Sequence, residues 1–461
     1  MKKKTADKNM VDNTIKIVIT NSHADNRGDE AAQRSLISTL GKLVPHAEFT
    51  VLTISPEGLD LQKDVRILKT FSASVKTIPL LIFWLTFRFF GIKFPTSIEN
   101  RRVLKALKQL EDADVIISAP GGPYFGDLYA SHEIREHLLH ILIAKILRKP
   151  VMIYAPSMGP FKISWRNLIR RYFLNKVEII SVRDHISKKY LDCLKLARPL
   201  IYLTCDSAFQ NTINVTAVEL KDIMLAEEII GNEGNFDKRI LVGITPAGAR
   251  WNFKDAQNSA EKQREYNQTI ARAVDYIADK YDAIVVFYPQ LYGKSDDVLL
   301  INDIVKLVNH KESIRIFSKT RNSEIQQAVI SQMDIFLGNR YHSVVFSLKA
   351  KIPTVCLAYE HKAVSLMNSM QLGDFVIDMN EFNYENLIDK INKLWNQKEK
   401  IRVALKSRIR IIRKCSLLNS ILAKALINCA VRHVLCPKAL KEEVDELITN
   451  FQQKSIPFRN D

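Results

Sequence analysis

Arg340 and His342 stand two residues apart in the stretch GNRYHSVVFSLKAKIPTVCLAYEHK (338–362), which closes on Lys362. The apolar run DIFLG (334–338) reads as a buried strand that ends at Gly338. A helix-like run, 343–350, follows at once, and a second strand, PTVCLA (353–358), leads through Tyr359 to Lys362. In a parallel sheet both strand ends open on one edge, so Arg340, His342 and Lys362 are expected to converge there with helix-terminal amides. Cations around a helix N-terminus suit a ligand carrying both phosphate and carboxylate. His342 is the candidate acid or base, because imidazole titrates near neutral pH. Taken singly, these residues are also explained as two surface charges and a polar helix start; the ordered arrangement favours function.

Other strand ends carry weaker signals. Arg183 follows the run EIISV (178–182) in SVRDHIS, where a helix cap with an ion pair is the competing explanation. After the first strand, NSHADNRGDEAAQRS (21–35) places Asn26, Gly28 and Asp29 in a turn before a helix. It lacks GxGxxG, which argues against dinucleotide binding. In APGGPYFGD (119–127), Gly121 and Gly122 allow close backbone approach, and Asp127 ends the loop. YAPSMGPF (154–161) and CDSAF (205–209) are further strand-end loops, with Asp206 a fixed point. Asp112-Ala113-Asp114 has the spelling of a DxD metal motif but precedes a strand, so it reads as helix end and strand start, and no metal is expected.

The elements that must position these residues alternate regularly. Apolar runs at 14–20, 49–54, 114–118, 151–155 and 178–182 read as buried parallel strands, separated by helical periodicity at 32–43, 134–147 and 165–174. After a pause around 211–239, strands resume at 240–245, 283–288, 313–317, 334–338 and 353–358. The fold class expected is α/β: two doubly wound domains with parallel sheets and a cleft between them. The expected division is an N-terminal domain over 1–212, a linker over 213–239, a C-terminal domain over 240–435 and a helical tail over 436–461.

Bulk properties narrow the partners. The chain has 461 residues, long enough for two ordinary cores. Its net charge is +17, from 67 basic against 50 acidic residues, which favours an anionic partner. The basic residues are spread over helices without an aromatic RNP-like run or zinc-finger spacing, so nucleic acid is not expected. The six cysteines form no CxxC pair, consistent with a reducing compartment. The N-terminal stretch MKKKTADKNMVDNT has no apolar run behind its lysines, so the expected location is cytoplasmic. The segment 78–95, IPLLIFWLTFRFFGIKFP, is too short and too charged to span a bilayer. It reads either as a helix packed in the first domain or as a peripheral contact with an anionic inner membrane face, where a lipid-linked glycan would reside.

The ordered set of Asn26-Arg27-Gly28-Asp29, the glycine loop ending in Asp127, Ser157 to Phe161, VRD with Ser187, Asp206 with Ala208-Phe209, YPQ (288–290) and GNRYHS…P…AYEHK resembles the polysaccharide pyruvyltransferase family over about residues 15–380. The resemblance implies two Rossmann-like domains of GT-B type. It implies transfer of pyruvyl from phosphoenolpyruvate to a sugar of a surface polysaccharide or its lipid-linked precursor, forming a ketal, with no other cofactor. Its donor-binding positions fall on Arg183, Arg340, His342 and Lys362, with the donor on the C-terminal side. Asn26, Asp29, Gly121, Gly122 and Asp127 are the candidate acceptor positions. Two departures stand out: Pro123 where the loop's third glycine is usual, and Ser207 where DPAF has proline. The nearest rival is a GT-B glycosyltransferase using a nucleotide sugar, whose Glu-rich donor loop is replaced here by RYH and EHK.

Overall fold

The computed structural model describes residues 14–453 except 24, 63, 92–101, 122–124, 128–129, 211, 232–238, 254–257 and 293–295. The chain forms two compact units. The first comprises residues 1–24, 32–210 and 414–461; the second comprises 25–31 and 211–413. Each is built on a wholly parallel sheet.

In the first unit the order is β3-β2-β1-β4-β5-β6-β7. These are β1 (Ile15–Ser22), β2 (Ala47–Thr53), β3 (Arg66–Lys69), β4 (Val115–Ser118), β5 (Val151–Ile153), β6 (Ile179–Val182) and β7 (Leu200–Leu203). Alternate strand residues point to opposite faces, so near-continuous apolar runs give two cores. On one face Val18, Ile116, Ile153 and Ile180 pack under helices Ile78–Phe89, Arg102–Asp112, Leu139–Ile146, Ser164–Leu174 and His185–Leu194, through Trp84, Leu107, Ile141, Leu174 and Leu191. On the other, Ile17, Ile117 and Met152 pack under Leu36 and Leu40 of helix Arg27–Leu43, Leu422 and Leu426 of helix Tyr384–Val431, and Leu440 and Val444 of helix Pro437–Gln453.

In the second unit the order is β10-β9-β8-β11-β12-β13, with β8 (Ile240–Thr245), β9 (Ala283–Phe287), β10 (Ile314–Ile316), β11 (Ile335–Gly338), β12 (Thr354–Ala358) and β13 (Val376–Asp378). The strand order reverses direction between β8 and β11, the place where open α/β sheets bind ligands.

The structure differs from the sequence expectation in two respects. β3, β7 and β13 were not anticipated; each is a sheet-edge strand without a fully buried apolar run. The units are also interleaved. Residues 25–31 pack with the second unit, and residues 414–435, expected in the C-terminal domain, pack with the first. Helix Tyr384–Val431 is the one described helix long and apolar enough to cross a membrane, yet 61% of its most apolar window is buried inside the protein. Leu422, Ala423, Leu426 and Ile427 are wholly enclosed, so its apolarity is that of a core helix.

Candidate functional site

At the carboxyl edge of the second sheet, Asn339 ties three strand ends together. Its amide N–H donates to the Thr245 carbonyl at 2.9 Å. Its Oδ1 accepts from Tyr266 Oη at 2.9 Å, Asn252 Nδ2 at 2.9 Å and the Ala247 amide at 3.1 Å, while its Nδ2 donates to the Leu357 carbonyl at 2.7 Å. A side chain that satisfied in a buried position fixes the backbone on both sides of it. The next residue, Arg340, is extended and precedes helix Tyr341–Lys349.

The Arg340 guanidinium donates to Asp297 Oδ1 at 2.5 Å, bonds Tyr359 and lies 5.3 Å from the Trp251 ring centroid. Burial works against its charge, but Asp297 and Tyr359 outweigh it and raise the pKa. Asp297 is in turn fixed by the amides of Gln290 and Leu291, at 3.1 and 2.9 Å. Burial pushes the Tyr359 phenol up to about 12, with Arg340 pulling the other way.

His342, one residue past Tyr341, is buried in the first turn of the helix, its ring 5.1 Å from that of Tyr341. A Cβ on Gly28 would overlap the imidazole, so the backbone at Gly28 packs directly against the His342 ring. The segment 25–31 is anchored in the second unit. The Arg27 amide donates to the Gln290 carbonyl at 3.0 Å, the Arg27 guanidinium lies 3.9 Å from the Tyr292 ring centroid, and Glu30 accepts from the Ser323 amide and hydroxyl at 2.9 and 2.8 Å. Asn26 Oδ1 accepts from the Gly28 amide at 2.7 Å, and Asp29 is buried beside it. Asn26 and Asp29, expected on the N-terminal side, thus belong with His342.

Lys362, in the first turn of helix His361–Ser369, lies 2.7 Å from Glu360 and 5.5 Å from the Tyr341 ring centroid. His342 and Lys362 therefore both lie beside Tyr341, and Arg340 stands at the same edge, bonded to Tyr359, so that the three occupy two helix N-termini whose amides favour anions.

The remaining candidates lie in the first unit. Arg183 follows β6, donates from Nε to Ser157 Oγ at 2.9 Å and is ion-paired with Asp206; both charged side chains are 1% exposed. Asp184 caps helix His185–Leu194 by accepting the Ser187 amide at 2.7 Å. Asp127 accepts from the Lys162 and Ile163 amides at 2.6 and 3.1 Å and from Arg170 at 2.8 Å. Burial alone would raise its pKa; the Arg170 bond and those amides hold it below the usual carboxylate range. Its oxygens organise the loop 161–163 in this structure. Gly121 is buried, and its carbonyl accepts from the Ser157 amide at 3.4 Å. Gly122 and Pro123 lie outside the described residues. Asp114 accepts from the Lys16 amide at 2.8 Å, which pins β1 beside β4 and accounts for the second Asp of the DxD spelling.

Asn339, Asp297, Trp251 and Glu360 were not singled out from sequence. Asn339 sits inside the RYH stretch and could have been noticed there. Asp297 and Trp251 carry no local signal, because their role depends on a residue more than 40 positions away.

Residues 26–361 match the family model for polysaccharide pyruvyl transferase. The amylovoran biosynthesis protein AmsJ of Erwinia amylovora is 22% identical over 413 residues, covering 84% of this chain and 94% of that protein. Among solved structures, a UDP-N-acetylglucosamine 2-epimerase from Listeria monocytogenes, described as putative, aligns with a TM-score of 0.54 at 12% identity, over 92% of this chain and 99% of its own. The Anabaena protein Alr3699/HepE, solved in complex with UDP, aligns with a TM-score of 0.53 at 10% identity, over 95% and 100%. At such identities these two structures establish a shared two-sheet, GT-B-like fold and nothing of chemistry.

Proposed function

The chain belongs to the polysaccharide pyruvyl transferase family, and from that membership we propose that it transfers pyruvyl from phosphoenolpyruvate to a sugar of a surface polysaccharide or its lipid-linked precursor. The observation that carries this reading is the placing of Arg340, His342 and Lys362 at the N-termini of two helices, His342 and Lys362 beside Tyr341 and Arg340 bonded to Tyr359. Phosphoenolpyruvate has an anionic group at each end of a three-carbon unit, which suits separated cations better than one.

The reaction is balanced without a further reactant. C3 takes a proton and becomes a methyl group, and a first sugar hydroxyl adds to C2. Phosphate then leaves with its bridging oxygen, and a second hydroxyl adds to C2 to close the ketal. Of the two hydroxyl protons, one accounts for the methyl group and the other leaves on phosphate. Arg340 and Lys362 hold the anionic ends and offset charge on the departing phosphate. Asp297 and Asn339 keep Arg340 in place. His342, buried with the Gly28 backbone against its ring, carries the proton. Arg183, from the first unit, is assigned to the donor as well; engaging it requires sharing its guanidinium with Asp206. Asn26, Asp29, Gly121, Gly122 and Asp127 remain the proposed acceptor positions, and an anionic membrane the proposed surface where a lipid-borne acceptor is met.

The test is direct. His342→Ala should abolish phosphate release from phosphoenolpyruvate in the presence of glycan acceptor, by at least about 100-fold, while leaving the thermal midpoint near that of the parent. Near-normal turnover would remove His342 from the mechanism. Titration with phosphoenolpyruvate, UDP-sugars and GDP-sugars separates this reading from nucleotide-sugar transfer: saturable binding of a nucleotide sugar, with none of phosphoenolpyruvate, would reject it.

A further inference from the structure

One face of the first sheet is covered by helices whose outer surfaces are unusual together. Helix Ile78–Phe89 turns Leu81 and Trp84 inward. It nevertheless leaves Ile82 59% and Phe89 84% exposed, and Phe90 beyond its end 67%. Helix Ser164–Leu174 buries Arg170 and Leu174 but exposes Trp165, Leu168 and Tyr172, one stripe at helical spacing. Isolated exposed apolar residues need no explanation, but two such stripes on helices over one face do.

Charge distinguishes what could cover them. Helices Ile78–Phe89, Leu139–Ile146 and Ser164–Leu174 contain no Asp or Glu; of their cations, Arg88, Lys145, Arg166 and Arg170 are paired with Glu111, Glu178, Asp127 and Glu133 of neighbouring elements, and Arg171 is exposed. The turn after Leu139–Ile146 adds Arg148, which has no ion pair among the described residues, and Lys149. Between the first two helices runs a groove of about 660 Å³ lined by Ile82, Leu85, Thr86 and Phe89 on one side and Ile146 on the other, with Arg88 and Arg148 in its walls. An apolar trough walled by guanidiniums fits an acyl or isoprenoid chain beneath a phosphate-bearing head group. Exposed Trp, Tyr and Phe beside Arg and Lys are the composition of the bilayer interface.

We propose that this face of the first unit, formed by Ile82, Phe89, Phe90, Trp165, Leu168 and Tyr172 with Arg148 and Arg171, docks on the surface of an anionic lipid bilayer. A protein partner of matching shape would need a continuous acidic, apolar surface; a bilayer with anionic head groups supplies both everywhere. The inference adds a surface to the acceptor side of the proposed reaction, but it does not depend on catalysis.

The full chain is sedimented with vesicles of phosphatidylcholine alone and of phosphatidylcholine mixed with phosphatidylglycerol. Binding is expected to the mixed vesicles, to weaken as salt is raised, and to be slight with phosphatidylcholine alone. The doubly substituted Arg148→Gln/Arg171→Gln chain should lose about fivefold in partitioning for each cation removed. The Ile82→Ser/Phe89→Ser/Phe90→Ser chain should lose more than tenfold. All five side chains are exposed, and an unchanged thermal midpoint verifies folding. Equal binding to both vesicle types, no binding to either, or parental binding by both variants would overturn the proposal. So would a dimer in solution that the Ser variant disperses without any lipid binding, which would assign the face to a second copy of the chain. Vesicle binding without pyruvyl transfer would leave this inference standing and count against the proposed reaction alone.

Discussion

Arg340 and Lys362 each already have a carboxylate partner, and the two pairs differ in a way that matters. Arg340 and Asp297 are both buried, and Asp297 is held by two amides, so this pair is a fixed part of the framework. Lys362 and Glu360 are each more than a tenth exposed and neighbours in sequence, so their pairing can be exchanged for a ligand's. An incoming dianion must compete with Glu360 for Lys362. Glu360→Gln is therefore expected to tighten phosphoenolpyruvate binding by about fivefold, the worth of a partly exposed ion pair near 1 kcal/mol. Calorimetric titration of the variant checks this, and weaker binding would mean that Glu360 helps to hold the ligand. Much of this site was legible in the residues themselves. RYH and EHK follow apolar strands, and parallel topology alone puts both strand ends on one edge. What could not be read was pairing across distance. Arg183 has the same strand-end signature as Arg340, yet its guanidinium is committed to Asp206, 23 residues onward. Asp127 likewise showed a carboxylate at a loop end, and only the structure shows Arg170 and two amides occupying it.

At the scale of elements, the carboxyl edge of the first sheet carries a buried histidine whose protonation is coupled to folding. His140, in helix Leu139–Ile146, is 1% exposed, with Nδ1 2.8 Å from Asn21 Oδ1 and Nε2 3.2 Å from Thr70 Oγ1. It thereby links the ends of β1 and β3. Burial depresses its pKa to about 4, against a small opposing effect from the Phe71 backbone. The unfolded chain takes up this proton near pH 6.5 and the folded chain only near 4, so the unfolded state binds more protons between those values. Its contribution is present in full above about pH 6.5, declines as pH falls, and is lost by about pH 4. The loss is roughly 3 kcal/mol. His137, one turn earlier, is shifted in the same direction, first by burial and then by the other histidines. Urea midpoints measured across that range should fall for the parent chain and fall less steeply for His140→Gln, whose amide can still reach Asn21 and Thr70. Parallel slopes would place the imidazole in contact with water. Apolar periodicity announced helix Leu139–Ile146 but not this role, because a histidine on an apolar run looks the same whether it is a ligand or a satisfied core residue. The edge strands escaped sequence reading for the opposite reason. β3 reads RILK and is half in solvent, so it lacks the continuous apolar run that marks the central strands.

For the whole molecule, the order of residues along the chain is a poor guide to which of them share a core. The first sheet is complete by residue 203, yet one of its faces is closed by residues more than 200 positions later. Leu422, Ala423, Leu426 and Ile427 are buried there, joined by Leu440 and Val444. The polar contacts run the same way. Ser420 Oγ is 2.7 Å from Tyr154 Oη, Thr204 Oγ1 donates to Asn419 Oδ1 at 2.7 Å, and Ser416 Oγ donates to the Asp206 carbonyl at 2.5 Å. That last bond steadies the residue paired with Arg183. No loop marks Lys414, because helix Tyr384–Val431 runs through it unbroken; the sign in the sequence is that charged residues thin out beyond it, with Lys414 and Lys424 alone in 414–431. Ending the chain after Arg413 should therefore damage the first unit and spare the second, although the deleted residues follow the second in sequence. Losing the burial of five large apolar side chains, and uncovering Ile17, Ile117 and Met152 beneath them, costs on the order of 10 kcal/mol, as much as an ordinary domain's entire stability. Limited proteolysis of the shortened chain should cut first within residues 32–210 and leave a resistant fragment containing 211–413. Equal resistance of both regions would show that the last two helices are ornaments on a self-sufficient sheet, and that the first unit ends where its strands do.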